Sequence, residues 1–320
     1  MTAASGLPLL KTTALAVGYA GKKPVLDRLN LELRAGTFTC FMGPNGIGKS
    51  TLIRTLAGLQ KPLQGQVHKT DQTRQPAVVL TDRITAGYMT VRQLVTFGRY
   101  PYVSWNLKLA REDEDAIESA IARLSLHSLA TRRLHELSDG QLQLAQIARV
   151  LAQETSVILL DEPTAHLDLN NRLEITLLLR QLAHEGKAVV MATHELDLAL
   201  QTADEVWLAG HGGAMLTGAP EDLVLRGSFD DIFRFKGFDL RTGKVLHSPT
   251  KTLSVAVVGE HPASLWTRNA LERRGYPVLA DQAAKTITIT QSTDGSRLWS
   301  FDGLQFFHTI DSLLVALDKL

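Results

Sequence analysis

The sequence predicts an α/β fold: a parallel sheet with crossover helices, a helical insertion, and a small α+β domain after them. Three observations carry that prediction. The run Gly43-Pro44-Asn45-Gly46-Ile47-Gly48-Lys49-Ser50-Thr51 stands between an apolar, β-prone stretch at 37–42 and a stretch of helical spacing at 52–57 closed by Gly58. The short apolar runs 157–160 and 188–191 are separated by a helical pattern at 172–184, the order that parallel strands with a crossover helix require. Beyond a polar segment at 241–251 that holds Gly243 and Pro249, strand and helix patterns start afresh.

Length and composition set the bounds. At 320 residues and 44% hydrophobic, the chain suits one large domain plus a smaller one. A formal net charge of +1 suggests neither disorder nor the basic excess of a nucleic-acid binder, so no nucleic-acid partner is expected. Cys40 is the only cysteine; its apolar surroundings fit a buried small side chain, and no disulfide within the chain is possible. Pro8 and Lys11 interrupt the first leucines, unlike a secretory leader, and no apolar stretch is long enough to span a bilayer. The expectation is a cytoplasmic protein that meets a membrane only through a partner.

Along the chain, residues 1–6 are small and polar and read as a loose tail. Alternating apolar residues at 7–33, with turns at Gly18, Gly21 and Pro24, predict strands leading into the glycine-rich loop. A buried strand follows at 77–80, and the stretch from about 85 to 150 reads as a helical insertion. A further strand begins at 206–209, and Pro220 opens a short helix through 225. These elements make up a domain over 1–245. In the second domain, 251–320, the patterns predict a strand at 253–258, a helix at 262–274 ended by Gly275, strands at 285–290 and 297–301, and a helix at 312–320 with Asp311 as its N-cap. Gly259-Glu260-His261, with one glycine, falls short of a dinucleotide-binding pattern.

The loop at 43–51 fits G-x-x-x-x-G-K-[ST] at every fixed position and predicts a bound nucleoside triphosphate. Glycines let backbone N–H groups curl inward onto phosphate oxygens, Lys49 reaches the β/γ-phosphates, and Ser50 offers an oxygen to Mg²⁺. The helix starting near Lys49 adds its positive N-terminal end. Asp161 and Glu162 follow an apolar strand and so stand at its C-terminal edge, where ligands bind in open α/β sheets. There Asp161 can hold Mg²⁺ through water and Glu162 can polarise the water that attacks the γ-phosphate. Leu137-Ser138-Asp139-Gly140-Gln141 precedes a helical run at 142–151 and forms a second anion site at a helix N-terminus.

Here the residues resemble the ABC ATPase family, whose signature reads L-S-G-G-Q and whose other marks follow in order over about 7–244. Tyr19 matches the aromatic that stacks on adenine, Asp161-Glu162 the Walker B pair, Thr164-Ala165-His166-Leu167-Asp168 the D-loop, and His194 the switch histidine. The resemblance implies a phosphate-loop ATPase core with a helical subdomain, bound ATP and Mg²⁺, and head-to-tail homodimers. In such dimers Ser138, Asp139, Gly140 and Gln141 of one subunit close on ATP held by the other. It makes Glu162 the water-activating residue, His194 the γ-phosphate sensor and Lys49 the phosphate ligand.

Two positions depart from the pattern. The family usually has glutamine where alignment to Met89-Thr90-Val91 puts Thr81. Thr81 acting on Mg²⁺ through an added water, Asp82 substituting for it, and a polar loop residue with no metal role all stay open. Asp139 replaces the first signature glycine; facing a γ-phosphate it would cost about 1 to 4 kcal/mol at ~4 Å, so the expectation is that it turns away and caps the helix. His127, His135 and His184 lack metal-ligand spacing and read as ordinary surface or core histidines.

Met89-Thr90-Val91-Arg92-Gln93-Leu94-Val95 with Gly98-Arg99-Tyr100-Pro101-Tyr102 is similar to the importer ATPases for iron-siderophore complexes, haem and cobalamin. That resemblance implies a dimer beneath an integral membrane permease, at the cytoplasmic face of the membrane, supplied by an extracytoplasmic binding protein. Tyr100, Pro101, Tyr102 and Trp105 fit a socket for the permease or plain packing of the insertion. A second reading, a soluble ABC ATPase switching a cytosolic partner, stays open because 251–320 lie outside the family core.

Overall fold

The computed structural model describes residues 8–70, 75–81, 88–103, 108–210, 212–240, 242–280, 283–291 and 296–319. The loose tail at 1–6, Asp82 and Trp105 lie outside the described residues. The chain forms two compact units, the first ending at Arg234 and the second beginning at Phe235.

The first unit opens with strands β1 (Pro8–Val17), β2 (Leu26–Leu29), β3 (Glu32–Arg34) and β4 (Thr37–Met42), helix α1 (Lys49–Leu56), and strands β5 (Gln64–Lys69) and β6 (Ala77–Val79). Helices α2 (Val91–Thr96), α3 (Arg111–Arg123) and α4 (Asp139–Ala152) follow, with a 3₁₀ segment at Phe97–Tyr102. The chain then alternates through β7 (Val157–Asp161), α5 (Leu169–His184), β8 (Ala188–Ala192), α6 (Leu196–Thr202), β9 (Glu205–Ala209) and β10 (Met215–Gly218), and closes with α7 (Pro220–Leu225) and α8 (Ser228–Phe233).

β4, β7 and β8 are buried along their whole lengths, as strands covered on both faces must be. They lie in a sheet ordered β10-β9-β4-β8-β7-β6, parallel except for the edge strand β10. A separate antiparallel sheet places β1 between β2 and β3 and pairs it with β5. Phe41, Leu52, Ile53, Leu159, Val190 and Trp207 fill the core beside the parallel strands. Burial pushes the Cys40 thiol up, away from ionisation. Because β4, β8 and β7 are adjacent, the loops at their C-terminal ends converge on one edge.

The helical part is held by close approach and by one buried ion pair. A Cβ at Gly98 would stand 2.2 Å from the Arg149 carbonyl oxygen, so only glycine lets the 3₁₀ segment reach α4. The neighbouring Arg99 donates through Nε to Asp113 Oδ1 at 2.8 Å, and through Nη1 to the Ala152 carbonyl at 2.8 Å and Glu154 Oε2 at 2.6 Å. Thr90 starts α2 with a capping box shared with Gln93.

The second unit begins with a short hairpin, β11 (Phe238–Asp239) and β12 (Lys244–Val245). It continues through β13 (Val255–Val258), α9 (Ala263–Arg273), β14 (Lys285–Gln291), β15 (Arg297–Phe301), β16 (Gln305–Phe307) and α10 (Ile310–Leu317). Its sheet runs β13-β14-β15-β16, the first pair parallel and the rest antiparallel. Val257, Leu271, Ile287, Trp299 and Leu313 form its own core, where Trp299 Nε1 donates to Thr267 Oγ1 at 2.8 Å. The cap of α10 corrects the sequence expectation. Thr309 Oγ1, not Asp311, accepts from Ser312 N at 3.1 Å, and Asp311 is already inside the helix.

Candidate nucleotide site

Gly43 and Gly48 shape the loop between β4 and α1. Gly48 has φ +107, and a Cβ there would stand 2.7 Å from Val25 Cγ2; at Gly43 a Cβ would stand 2.8 Å from the Ala209 carbonyl oxygen. Pro44 and Ile47 brace the turn, the Ile47 N–H donating to the Pro44 carbonyl at 3.3 Å. Asn45, Gly46 and Ser50 are exposed, while Lys49 and Thr51 are buried. Lys49 Nζ donates to the Gly43 carbonyl at 3.1 Å, folding its side chain back over the loop. Burial pulls the Lys49 ammonium below the usual lysine range, with Glu162 and then Asp161 opposing the shift.

The ends of β7 and β8 bring Asp161, Glu162 and His194 to the same edge. Lys49 Nζ stands 3.9 Å from Glu162 Oε1, and His194 Nδ1 stands 3.6 Å from Glu162 Oε2. Glu162 has φ +50, a left-handed conformation costing on the order of 1 kcal/mol in a non-glycine residue. Its N–H donates to the Ala192 carbonyl at 2.9 Å, which holds that conformation against β8. Asp161 is buried, and its Oδ1 has no hydrogen-bond partner among the described residues. Thr81 Oγ1 donates to the Asp161 backbone carbonyl at 3.0 Å, joining the segment after β6 to the end of β7.

The turn before α4 also corrects an expectation. Ser138 is the cap, accepting from Gln141 N at 3.3 Å, while Gln141 Oε1 accepts from Ser138 N at 3.1 Å. Asp139 is the first helical residue and lines a cavity of about 180 Å³ with Thr81, Asp161, Glu162 and His166. Ser138 and Gln141 thus bond to each other. Gly140 rests against Asn171: a Cβ there would stand 3.1 Å from Asn171 Cγ. Asp168 caps α5, its Oδ1 accepting from Asn171 N at 2.9 Å. Tyr19, just past β1, is 56% exposed.

These donors fit a metal–triphosphate. The unpartnered Asp161 carboxylate oxygen suits a hard cation, the exposed Ser50 hydroxyl supplies a second oxygen, and the retracted Lys49 ammonium suits phosphate.

The groove that the sequence suggested around Tyr100 is lined by Tyr88, Met89, Gln93, Thr96, Phe97 and Tyr100, with a volume of about 500 Å³. Tyr102 turns the other way: its hydroxyl donates to the Gln153 carbonyl at 2.5 Å, and Arg99 lies 4.1 Å above its ring. The missed signal was helical spacing, since 93, 96, 97 and 100 share one face.

A phosphate loop, a buried aspartate, a glutamate and a histidine at one edge of a parallel sheet define a nucleotide-binding α/β protein. The family model described as ABC transporter matches residues 26–165, and the model described as Iron ABC transporter C-terminal domain matches residues 251–318. The petrobactin import ATP-binding protein of Bacillus anthracis is 38% identical over 71% of this chain and 87% of its own. The ferric enterobactin transport ATP-binding protein of Escherichia coli is 36% identical over 67% of this chain and 83% of its own. A chain of an ABC transporter solved in an inward-facing conformation shares the fold, with TM-score 0.63 and 24% identity over 96% of this chain and 100% of that one. This chain belongs to the ABC transporter ATP-binding proteins, and it is an ATPase that binds ATP.

Proposed function

We propose that this chain powers a membrane importer for iron-siderophore, haem or cobalamin-type compounds from the cytoplasmic face of the membrane. The observation that carries this reading is the convergence of Lys49, Asp161, Glu162 and His194 at one sheet edge. The petrobactin import and ferric enterobactin transport named for those two relatives, and the hemin and cobalamin import named for others, support the cargo class.

The residues divide the work. Backbone N–H groups of Gly43 to Thr51 and the Lys49 ammonium bind the phosphates, and Tyr19 stacks on the adenine. Ser50 and Asp161 would hold Mg²⁺, which when bound neutralises charge on the phosphate oxygens. Thr81 joins the metal side through water: its hydroxyl proton goes to the Asp161 carbonyl, and its oxygen keeps acceptor capacity. Glu162 accepts the proton of the attacking water, and His194 steadies that carboxylate and senses the γ-phosphate.

Two copies work head to tail, with Ser138, Asp139, Gly140, Gln141 and Asp168 of one closing on ATP held by the other. The groove of Tyr88, Phe97 and Tyr100 receives the permease, and an extracytoplasmic binding protein delivers cargo on the far side. Domain 1–245 carries the ATPase, with its helical insertion over about 85–150, and 251–320 is an accessory domain. Purification of the tagged full-length chain from detergent-solubilised native membranes, with mass spectrometry of stoichiometric partners, tests the reading. A many-helix permease is the expected result; recovery only from the soluble fraction with a cytosolic partner would overturn it.

A further inference from the structure

The first turn of α5 touches three loops of the site at once. Gly140 of the signature turn rests against Asn171, which donates through N and Nδ2 to the two oxygens of Asp168, each at 2.9 Å. The next residue, Arg172, points back along the chain. Its Nε donates to the Leu167 carbonyl at 2.6 Å, inside the 164–168 loop, and its Nη1 lies 3.5 Å from Glu195 Oε1.

Glu195 directly follows His194, and its side chain is only 10% exposed. Its N–H donates to Thr193 Oγ1 at 3.0 Å, which ties the backbone on the two sides of His194 together. Yet Glu195 Oε1 has no hydrogen-bond partner among the described residues, although a guanidinium stands near it. A nearly buried carboxylate at that distance is attracted to Arg172, and a shift of a few tenths of an ångström would make the hydrogen bond. The planar fork of arginine suits the task, because it serves a carbonyl and a carboxylate in two directions.

We propose that Arg172 is a positioning residue for hydrolysis: it clamps the 164–168 loop to the turn bearing His194. The Glu162–His194 pair then reaches working geometry only when that loop and the signature turn are seated. Closure on the partner's nucleotide tightens the Arg172–Glu195 contact and sets the base. The inference rests on the assignment of Glu162 and His194 as the hydrolytic pair.

The test compares Arg172→Ala, Glu195→Ala, their double variant and Arg172→Lys in the full-length chain. It measures kcat and KM for Mg·ATP, ATP affinity by fluorescent-nucleotide titration, and Tm. Each single alanine variant is expected to lower kcat between about 10- and 100-fold with ATP affinity held within about twofold. The double variant should be no slower than the slower single, because both singles already remove the Arg172–Glu195 contact. Arg172→Lys keeps the charge but not the fork and should fall between Arg172→Ala and the parent. Multiplied losses in the double variant, a parallel loss of ATP affinity, or unchanged kcat would each overturn the clamp. Should alanine lower Tm, Arg172→Gln with Glu195→Gln repeats the cycle at near-constant volume. Glu162→Gln in parallel separates the two readings. Turnover surviving that change removes the base assignment, whereas turnover lost there but intact in Arg172→Ala overturns the clamp alone.

Discussion

His194 Nδ1 lies 3.6 Å from one oxygen of Glu162, and Lys49 Nζ lies 3.9 Å from the other. The carboxylate therefore sits between two nitrogens at the end of β7, with its backbone held in the left-handed region by β8. Neither contact is a short hydrogen bond, so the carboxylate remains able to turn toward a water and take its proton.

Glu162→Gln removes the proton acceptor while keeping shape and hydrogen bonding. ATP binding should survive within a few-fold, and steady-state hydrolysis should fall by at least about 100-fold, the lower bound of the range for losing a general base. A nucleotide-trapped dimer on size-exclusion chromatography should accompany the loss. Undiminished turnover would remove Glu162 from the role.

The parallel-sheet elements were legible because each is a short apolar run buried on both faces: β4 matches the stretch at 37–42, and β7 and β8 end within one residue of the runs at 157–160 and 188–191. The positions at 43–51 were legible because phosphate binding imposes a fixed spacing on backbone and side chain. Helix caps were not. Ser138 against Asp139, and Thr309 against Asp311, are choices between neighbouring oxygen-bearing side chains that only the local dihedrals decide. Arg99 and Arg172 were also unreadable, since their partners lie at separations the sequence does not encode: Arg99 with Asp113 and Glu154, and Arg172 with Glu195.

On the proposed reading, Lys49 serves phosphate binding at a cost in stability. Burial lowers its pKa, so below that lowered value the folded chain carries a proton that burial disfavours. Between the lowered value and the ordinary lysine value, the unfolded chain holds the extra proton, and stability rises with pH. Lys49→Met should abolish ATP binding yet stabilise the nucleotide-free chain by on the order of 1 kcal/mol near neutral pH. Urea unfolding at several pH values should show that gain shrinking as pH rises toward the ordinary lysine range. A gain that grows with pH would contradict the assignment.

Asp139 begins α4 and shares a cavity with Asp161 and Glu162. Its charge favours the helix N-terminus but adds a third carboxylate to the cavity at the C-terminal end of β7. Asp139→Asn removes the charge at constant shape, and Asp139→Gly restores the family's residue. Both should preserve or raise ATPase activity, while stability falls by about 0.3 to 1 kcal/mol for the lost helix-end interaction. Glycine should cost roughly 0.3 kcal/mol more than asparagine through backbone freedom. A large loss of turnover in either variant would give the carboxylate a positive role.

Arg99 holds the helical part together from inside. Its side chain and that of Asp113 are 6% and 8% exposed, and the pair links the 3₁₀ segment, α3 and the end of α4. The Ala110 N–H, and after it Arg99, hold the Asp113 carboxyl below the usual carboxylate range. Its stabilising contribution is therefore complete above the ordinary aspartate value and is lost as pH falls through the lowered one. Arg99→Met leaves Asp113 buried without its cation and should destabilise the chain by about 3 to 5 kcal/mol. In that variant the acid-side loss of stability should move to higher pH, because only the Ala110 contact still favours the charged carboxylate. Adding Asp113→Leu should recover much of the loss, since an apolar pair of similar volume carries no desolvation cost. The phosphate loop lies between β4 and α1, and the contacts of this pair are within the helical part, so ATP affinity should be unchanged at temperatures where the variant is folded. Phe97 and Tyr100 flank Arg99 in the segment that lines the groove, so under the proposed docking of the permease there, its association should weaken in parallel with stability. Equal loss of nucleotide affinity and permease association would show instead that the helical part and the nucleotide site unfold as one unit.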